Sequence, residues 1–306
     1  MRMKAVEAVP LFVMAGLFVL IDSLALLVTS PLEASTSTGA ASATVAFGNP
    51  NNPWNLAYFF LALIVFTVVI LLVSKFWKKQ AVKIIFLGAI ALLDAFVFYS
   101  LLTTVVSVGL SLGLSIAASA IILIMLVKNP EWYVIDISGI LSAFGAIALV
   151  GISLSISIVL VFLIAMAVYD AIAVYKTKHM IDLASTSLEQ KLPVLFIIPK
   201  KRGYSFAKEV KTLKEKLKTG EKRDAFFVGL GDVVIPGILV VSAFDNLASN
   251  GLLMAISVML GTLAGFVVLT AFVLKGKPQA GLPFLCTGAI LGYLLASYLR
   301  FGAFVT

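Results

Sequence analysis

The sequence predicts an all-α polytopic membrane protein. Three observations carry that reading. Hydrophobic residues make up 61% of the 306 residues and charged residues only 12%, whereas a soluble domain carries about twice that share of charge. The apolar residues gather into many runs near the length that crosses a bilayer. The positive charges fall on alternate loops.

Nine spans follow from length and apolar content, at roughly 8–28, 55–74, 82–102, 106–127, 132–150, 153–175, 225–246, 251–274 and 281–303. The first resembles a signal peptide, with Arg2 and Lys4 ahead of it. Its apolar stretch is longer than a usual signal core, which favours a retained span. The third and fourth are separated only by a short turn near Thr103–Ser107, and the fifth and sixth meet near Gly151.

The loops give the orientation. Lys75, Lys78, Lys79 and Lys83 share one loop, Lys128 lies in the next but one, and Lys275 and Lys277 follow the eighth span. Thirteen of the 23 Lys and Arg residues lie between Lys176 and Arg223. The intervening loops carry none, and Arg300 alone falls on their side. Positive charge marks the cytoplasmic face, so the N-terminus is expected inside and the C-terminus outside. The expected layout is one integral membrane domain in three parts. Residues 1–175 hold six spans, 176–223 form a basic cytoplasmic loop, and 224–306 hold three spans.

The loop carries 13 basic and five acidic residues, a net +8 that equals the charge of the whole chain. Solvation on the positive side of a membrane accounts for it, and nothing beyond charge points to nucleic acid. Phe206, Val210, Leu213 and Leu217 share one helical face among lysines, which predicts an amphipathic surface helix. Leu192–Ile198 (LPVLFII) is short, apolar and β-prone, a strand candidate. Gly109/Gly113 and Gly261/Gly265 are small-residue pairs at helix-packing spacing.

Chemistry is narrowed by what is scarce. Cys286 is the only cysteine and His179 the only histidine. That removes an intrachain disulfide, a His-based zinc site and any Ser-His or Cys-His machinery. No metal or cofactor is expected. Carboxylates, hydroxyls, lysines and the backbone remain.

Six aspartates lie in or near spans: Asp22, Asp94, Asp136, Asp170, Asp232 and Asp245. A charged group in hydrocarbon is costly and marks function by default. Depth sorts them. Asp170 lies six residues before Lys176, or roughly 9 Å at helical rise. Asp232 lies nine residues after Arg223, or roughly 13 Å. Both sit just inside the cytoplasmic half on consecutive antiparallel spans, with Asp136 as the main competitor. Two carboxylates held together can serve as one acid and one base, which cuts an amide with water alone. A proton relay in a transporter or ion-leak channel would use the same pair.

Tyr169-Asp170 and Gly229-Leu230-Gly231-Asp232 resemble the YD and GxGD motifs of the presenilin and signal peptide peptidase family of intramembrane aspartyl proteases. The nine spans and the large loop between the two motif helices are also similar, so the likeness covers essentially the whole chain. Its size and lack of appended domains resemble the archaeal presenilin homologues, in a cell membrane. The resemblance implies an aspartic endopeptidase with Asp170 and Asp232 as the catalytic dyad. Tyr169, Gly229, Leu230 and Gly231 would then shape the site. The family's third motif, PAL, is matched in Ala280-Gly281-Leu282-Pro283 only by Leu282 and the proline that often follows, Pro283. The implied partners are transmembrane peptides in a lipid bilayer. A prepilin-peptidase-like protease, which also uses a GxGD aspartate, fits the span count and the YD placement less well.

The segment FFVGLGDVVIPG (226–237) has its own physics. Gly229 and Gly231 give room for a backbone or water beside Asp232. Pro236 lacks an N–H, so the Asp232 carbonyl loses its helical partner, and a loosened, kinked segment is expected. Leu192–Ile198 could offer an edge on which an unwound substrate pairs as a strand.

Overall fold

A computed structural model describes residues 5–37, 46–47, 49–76, 79–177, 193–199, 204, 206, 225–247, 250–273 and 279–304. The amphipathic face at Phe206–Leu217 lies outside the described residues except for Phe206 itself.

The described residues form nine α-helices: α1 (Ala5–Ser37), α2 (Trp54–Phe76), α3 (Lys79–Leu102), α4 (Val108–Lys128), α5 (Trp132–Ser153), α6 (Ile156–Ile172), α7 (Leu230–Asn246), α8 (Gly251–Val273) and α9 (Leu282–Phe301). A five-residue π-helical turn, Ala173–Thr177, extends α6. Two strands, β1 (Leu195–Pro199) and β2 (Ala225–Gly229), complete the fold. Among the described residues, seven helices are long and apolar enough to cross a membrane, and α2 adds the shorter apolar stretch Trp54–Ile70. This is an integral, multi-pass membrane protein.

The helices end where the chain chemistry changes. Leu102 accepts backbone bonds from Val105 and Val106, which closes the turn between α3 and α4. Between α5 and α6 the break falls at Leu154–Ser155, a few residues past Gly151. Outward-facing apolar side chains such as Leu61, Ile64 and Val65 on α2 are exposed, as lipid contact requires.

The core lies between α1, α5, α6, α7, α8 and α9. Phe18, Ile21, Phe144, Ile147, Val233 and Val241 form one buried cluster. Val159, Phe162, Leu239, Met254, Cys286 and Tyr293 belong to a second. Cys286 is a buried thiol, as its apolar span predicts. The two small-residue pairs separate here. A Cβ on Gly261 would run into the Gly288 carbonyl, and one on Gly265 into the Phe284 carbonyl. These glycines let α8 and α9 touch backbone to backbone. Gly109 and Gly113 have nothing within 4 Å of an added Cβ, so the expectation of packing there is corrected.

The seventh apolar run is also corrected. Its first five residues are a strand, and only 17 residues from Leu230 onward are helical. The aromatic and β-branched AFFVG stretch pairs antiparallel with LFIIP, in the register Leu195↔Gly229 through Pro199↔Ala225. The predicted strand is present, shifted to Leu195–Pro199.

Candidate active site

Three helix ends converge. α6 carries Asp170, 6% exposed, within its last turn. α7 opens directly from β2 and holds Asp232 in its first turn, where the helix leaves N–H groups unpaired. α9 opens at Leu282 with Pro283 in its first turn, the place where a missing N–H costs a helix nothing.

The residues before α9 join the two acids. Leu282 donates its backbone N–H to Asp170 Oδ2 at 3.1 Å. A Cβ built on Gly281 would lie 3.0–3.2 Å from the carboxylate atoms of Asp232. The adjacent residues Leu282 and Gly281 therefore lie against one carboxylate each. The two acids matched by depth in the sequence meet the same short segment in space.

Asp232 also lines a cavity of about 220 Å³. Its walls come from α1 (Leu11, Met14, Phe18), from β2 and from α8 (Phe266, Leu269, Thr270), with Gln279 and Gly281 closing one side. The cavity is mostly apolar, with an acid at its edge.

The other sequence-selected residues are placed as follows. Tyr169 is 68% exposed and does not line the cavity; one residue along a helix turns a side chain by about 100°. Gly229 is the N-cap of α7, with Asp232 Oδ2 3.4 Å from its would-be Cβ. Leu230 packs its side chain toward Gly139 on α5. Gly231 would meet only Ile235, at 3.9 Å, so it is not a close-approach glycine. Pro236 is buried inside α7, and the helix runs through it unbroken. Leu282 is buried and Pro283 half-buried.

The other aspartates described here lie away from this pair. Asp94 accepts a bond from Ser142 Oγ at 3.0 Å. Asp22 is buried against Gly237. Asp136, the competitor for Asp232, accepts the Ile197 N–H at 2.8 Å and belongs to the strand. Sequence reasoning missed the β2 wall, the α1 and α8 walls, and Gln279, which accepts a bond from the Tyr175 hydroxyl at 2.8 Å. The β-rich FFV triplet was the one available signal for β2.

A family model described as signal-peptide peptidase, presenilin aspartyl protease matches residues 15–303. The chain belongs to this family. Solved structures agree. One, of a presenilin family intramembrane aspartate protease in a C222 crystal form, is 28% identical, with a TM-score of 0.66, over 96% of this chain and 100% of the other. Another, of a presenilin family intramembrane aspartate protease in a P2 form, is 30% identical, with a TM-score of 0.68, over 94% of this chain and 97% of the other. No curated protein sequence matches it. As a presenilin-type aspartyl protease, this chain has the two motif aspartates at the ends of α6 and β2–α7, brought together at Gly281–Leu282.

Proposed function

We propose that this presenilin-family protein hydrolyses peptide bonds within transmembrane segments of membrane proteins or signal peptides, using Asp170, Asp232 and a water molecule. The observation that carries this reading is the meeting of both carboxylates at Gly281–Leu282, the first bonded by Leu282 and the second beside Gly281. One carboxylate takes a proton from water as the water oxygen bonds to the scissile carbonyl carbon. The other carboxylic acid gives its proton to the carbonyl oxygen. The tetrahedral intermediate then collapses, the C–N bond breaks, and the amine leaves with a proton returned from the dyad. No charge need be shed to bulk water. The bond from Leu282 holds Asp170 in place before substrate arrives.

A helical substrate must unwind before its amides are open to attack. β2 borders the cavity beside Asp232, so it offers a better edge for an extended segment than the Leu192–Ile198 run. The apolar cavity would take a side chain of that segment. Span count and sidedness belong to the same reading: nine crossings, the N-terminus in the cytoplasm, the C-terminus outside, and the dyad toward the cytoplasmic face.

The test is cleavage of a single-span transmembrane peptide by the purified protein in detergent, beside Asp170→Ala and Asp232→Ala. Cleavage by wild type and by neither variant is expected. Cleavage surviving in either variant overturns the dyad.

A further inference from the structure

A two-stranded sheet has two outer edges, and either could recruit an extended peptide. The ladder shows which backbone groups point outward. Leu230 donates its N–H to the Val194 carbonyl at 3.0 Å, which makes Val194 and Leu230 a hydrogen-bonded pair. Antiparallel pairs alternate, so Phe196/Val228 and Ile198/Phe226 bond inward. Leu195, Ile197 and Pro199 face out on β1, and Ala225, Phe227 and Gly229 face out on β2.

The outer edge of β1 is closed. Pro199 has no N–H to offer. The Ile197 N–H is taken by Asp136 Oδ1 at 2.8 Å. Among the described residues, only the Leu195 N–H remains of the three outward positions. The β2 edge carries no such closure among the described residues, and Phe227 lines the cavity that holds Asp232. A half-buried acid of α5 spent on one strand amide is otherwise an odd choice, because a carboxylate this deep is costly.

We propose that Asp136 is a positioning residue that plugs the β1 edge, so that extended substrate backbone pairs only on β2, in the register that presents its scissile amide to Asp232. This rests on the protease reading above. Asp136 touches neither the substrate nor the dyad; it acts through Ile197. Without the plug, an unwound peptide could pair on the wrong edge, away from the cavity, and bind unproductively.

The experiment compares the full-length wild type with Asp136→Ala and Asp136→Asn, the latter keeping an Oδ1 acceptor. The probe is one single-span transmembrane peptide carrying a cysteine near its cleavage site. Asp136→Ala should speed hydrogen exchange at the Ile197 amide about tenfold, as loss of one bond implies. It should lower kcat and KM together by about fivefold with kcat/KM little changed, the mark of unproductive binding. Asn should restore both. Disulfide cross-linking supplies a readout that a merely structural residue would not move. In an otherwise unchanged chain the probe should link to a cysteine at Phe227 (Phe227→Cys) and not to one at Leu195 (Leu195→Cys). Asp136→Ala should open the Leu195 position. Unchanged Ile197 exchange in Asp136→Ala, or faster exchange with KM and cross-link positions as in wild type, overturns the plug. If Asp136→Ala does not fold, equal linking of the probe to both positions in the chain that retains Asp136 overturns it instead. Failure of the protease reading is seen separately, as wild type that links the probe but never cuts it.

Discussion

The backbone N–H of Leu282 meets Asp170 Oδ2 at 3.1 Å, across 112 residues of chain. The bond ties α9 to the end of α6 and makes Asp170 both a structural acceptor and a proposed reacting group. Asparagine keeps an acceptor oxygen but cannot exchange a proton. Asp170→Asn should therefore keep the fold and lose turnover by at least about 10³-fold, the scale of a lost acid–base group. Asp170→Ala should lose turnover equally and also lower stability by about 1–3 kcal/mol, because the Leu282 amide is left unpaired. Cleavage rates and melting temperatures of the two variants in one detergent check this. Equal melting of Asn and Ala variants would remove the structural half of the claim.

Gly281 should be graded by size. An added methyl lies 3.0–3.2 Å from the Asp232 carboxylate, close enough that the carboxylate must move a few tenths of an ångström. Gly281→Ala should reduce kcat by less than about tenfold, and Gly281→Val by more than about 10²-fold, as displaced reacting groups do. Both should fold, because the neighbour that yields is a side-chain end beside a cavity. A valine variant as active as wild type would mean that Gly281 does not set the carboxylate position.

Much of this could be read from residues alone, and what could not has a common cause. Asp170 and Asp232 were paired by counting helical rise from charged boundaries, a local measurement. The strand at Ala225–Gly229 escaped because an apolar stretch inside a longer apolar run has no period that separates strand from buried helix; its β-branched and aromatic content was the only cue. The tie between Asp136 and the strand is not legible in the sequence because its partner, Ile197, lies 61 residues away. Tyr169, next to the acid in sequence, points outward because helical neighbours diverge in direction. Pro236 does not interrupt α7, because membrane helices carry proline where neighbours hold the turn.

The glycine pairs offer a control on helix packing. Gly261→Val would drive a side chain into the α9 backbone at Gly288 and Gly292. It should destabilise the protein by about 1–3 kcal/mol or more, the cost of overpacking. Gly109→Val, with nothing within 4 Å, should be neutral or slightly stabilising, since glycine weakens a helix by up to about 1 kcal/mol. Thermal unfolding of the two variants decides, and an equal loss in both would show that spacing, not contact, governs these sites.

Pro236 supplies the last prediction. It lies four residues past Asp232 within an unbroken helix, so the Asp232 carbonyl has no N–H to accept from that position. Alanine would add the missing donor, tighten the first turns of α7 and draw the Asp232 backbone toward the helix axis. Pro236→Ala should raise stability or leave it unchanged, since interior proline costs a helix about 3 kcal/mol where nothing compensates. Turnover should nevertheless fall several-fold, because small displacements of a reacting group are expensive. Expression yield and melting temperature measured beside kcat separate the two effects. Unchanged turnover with higher stability would show that the carbonyl freed by Pro236 plays no part in positioning Asp232.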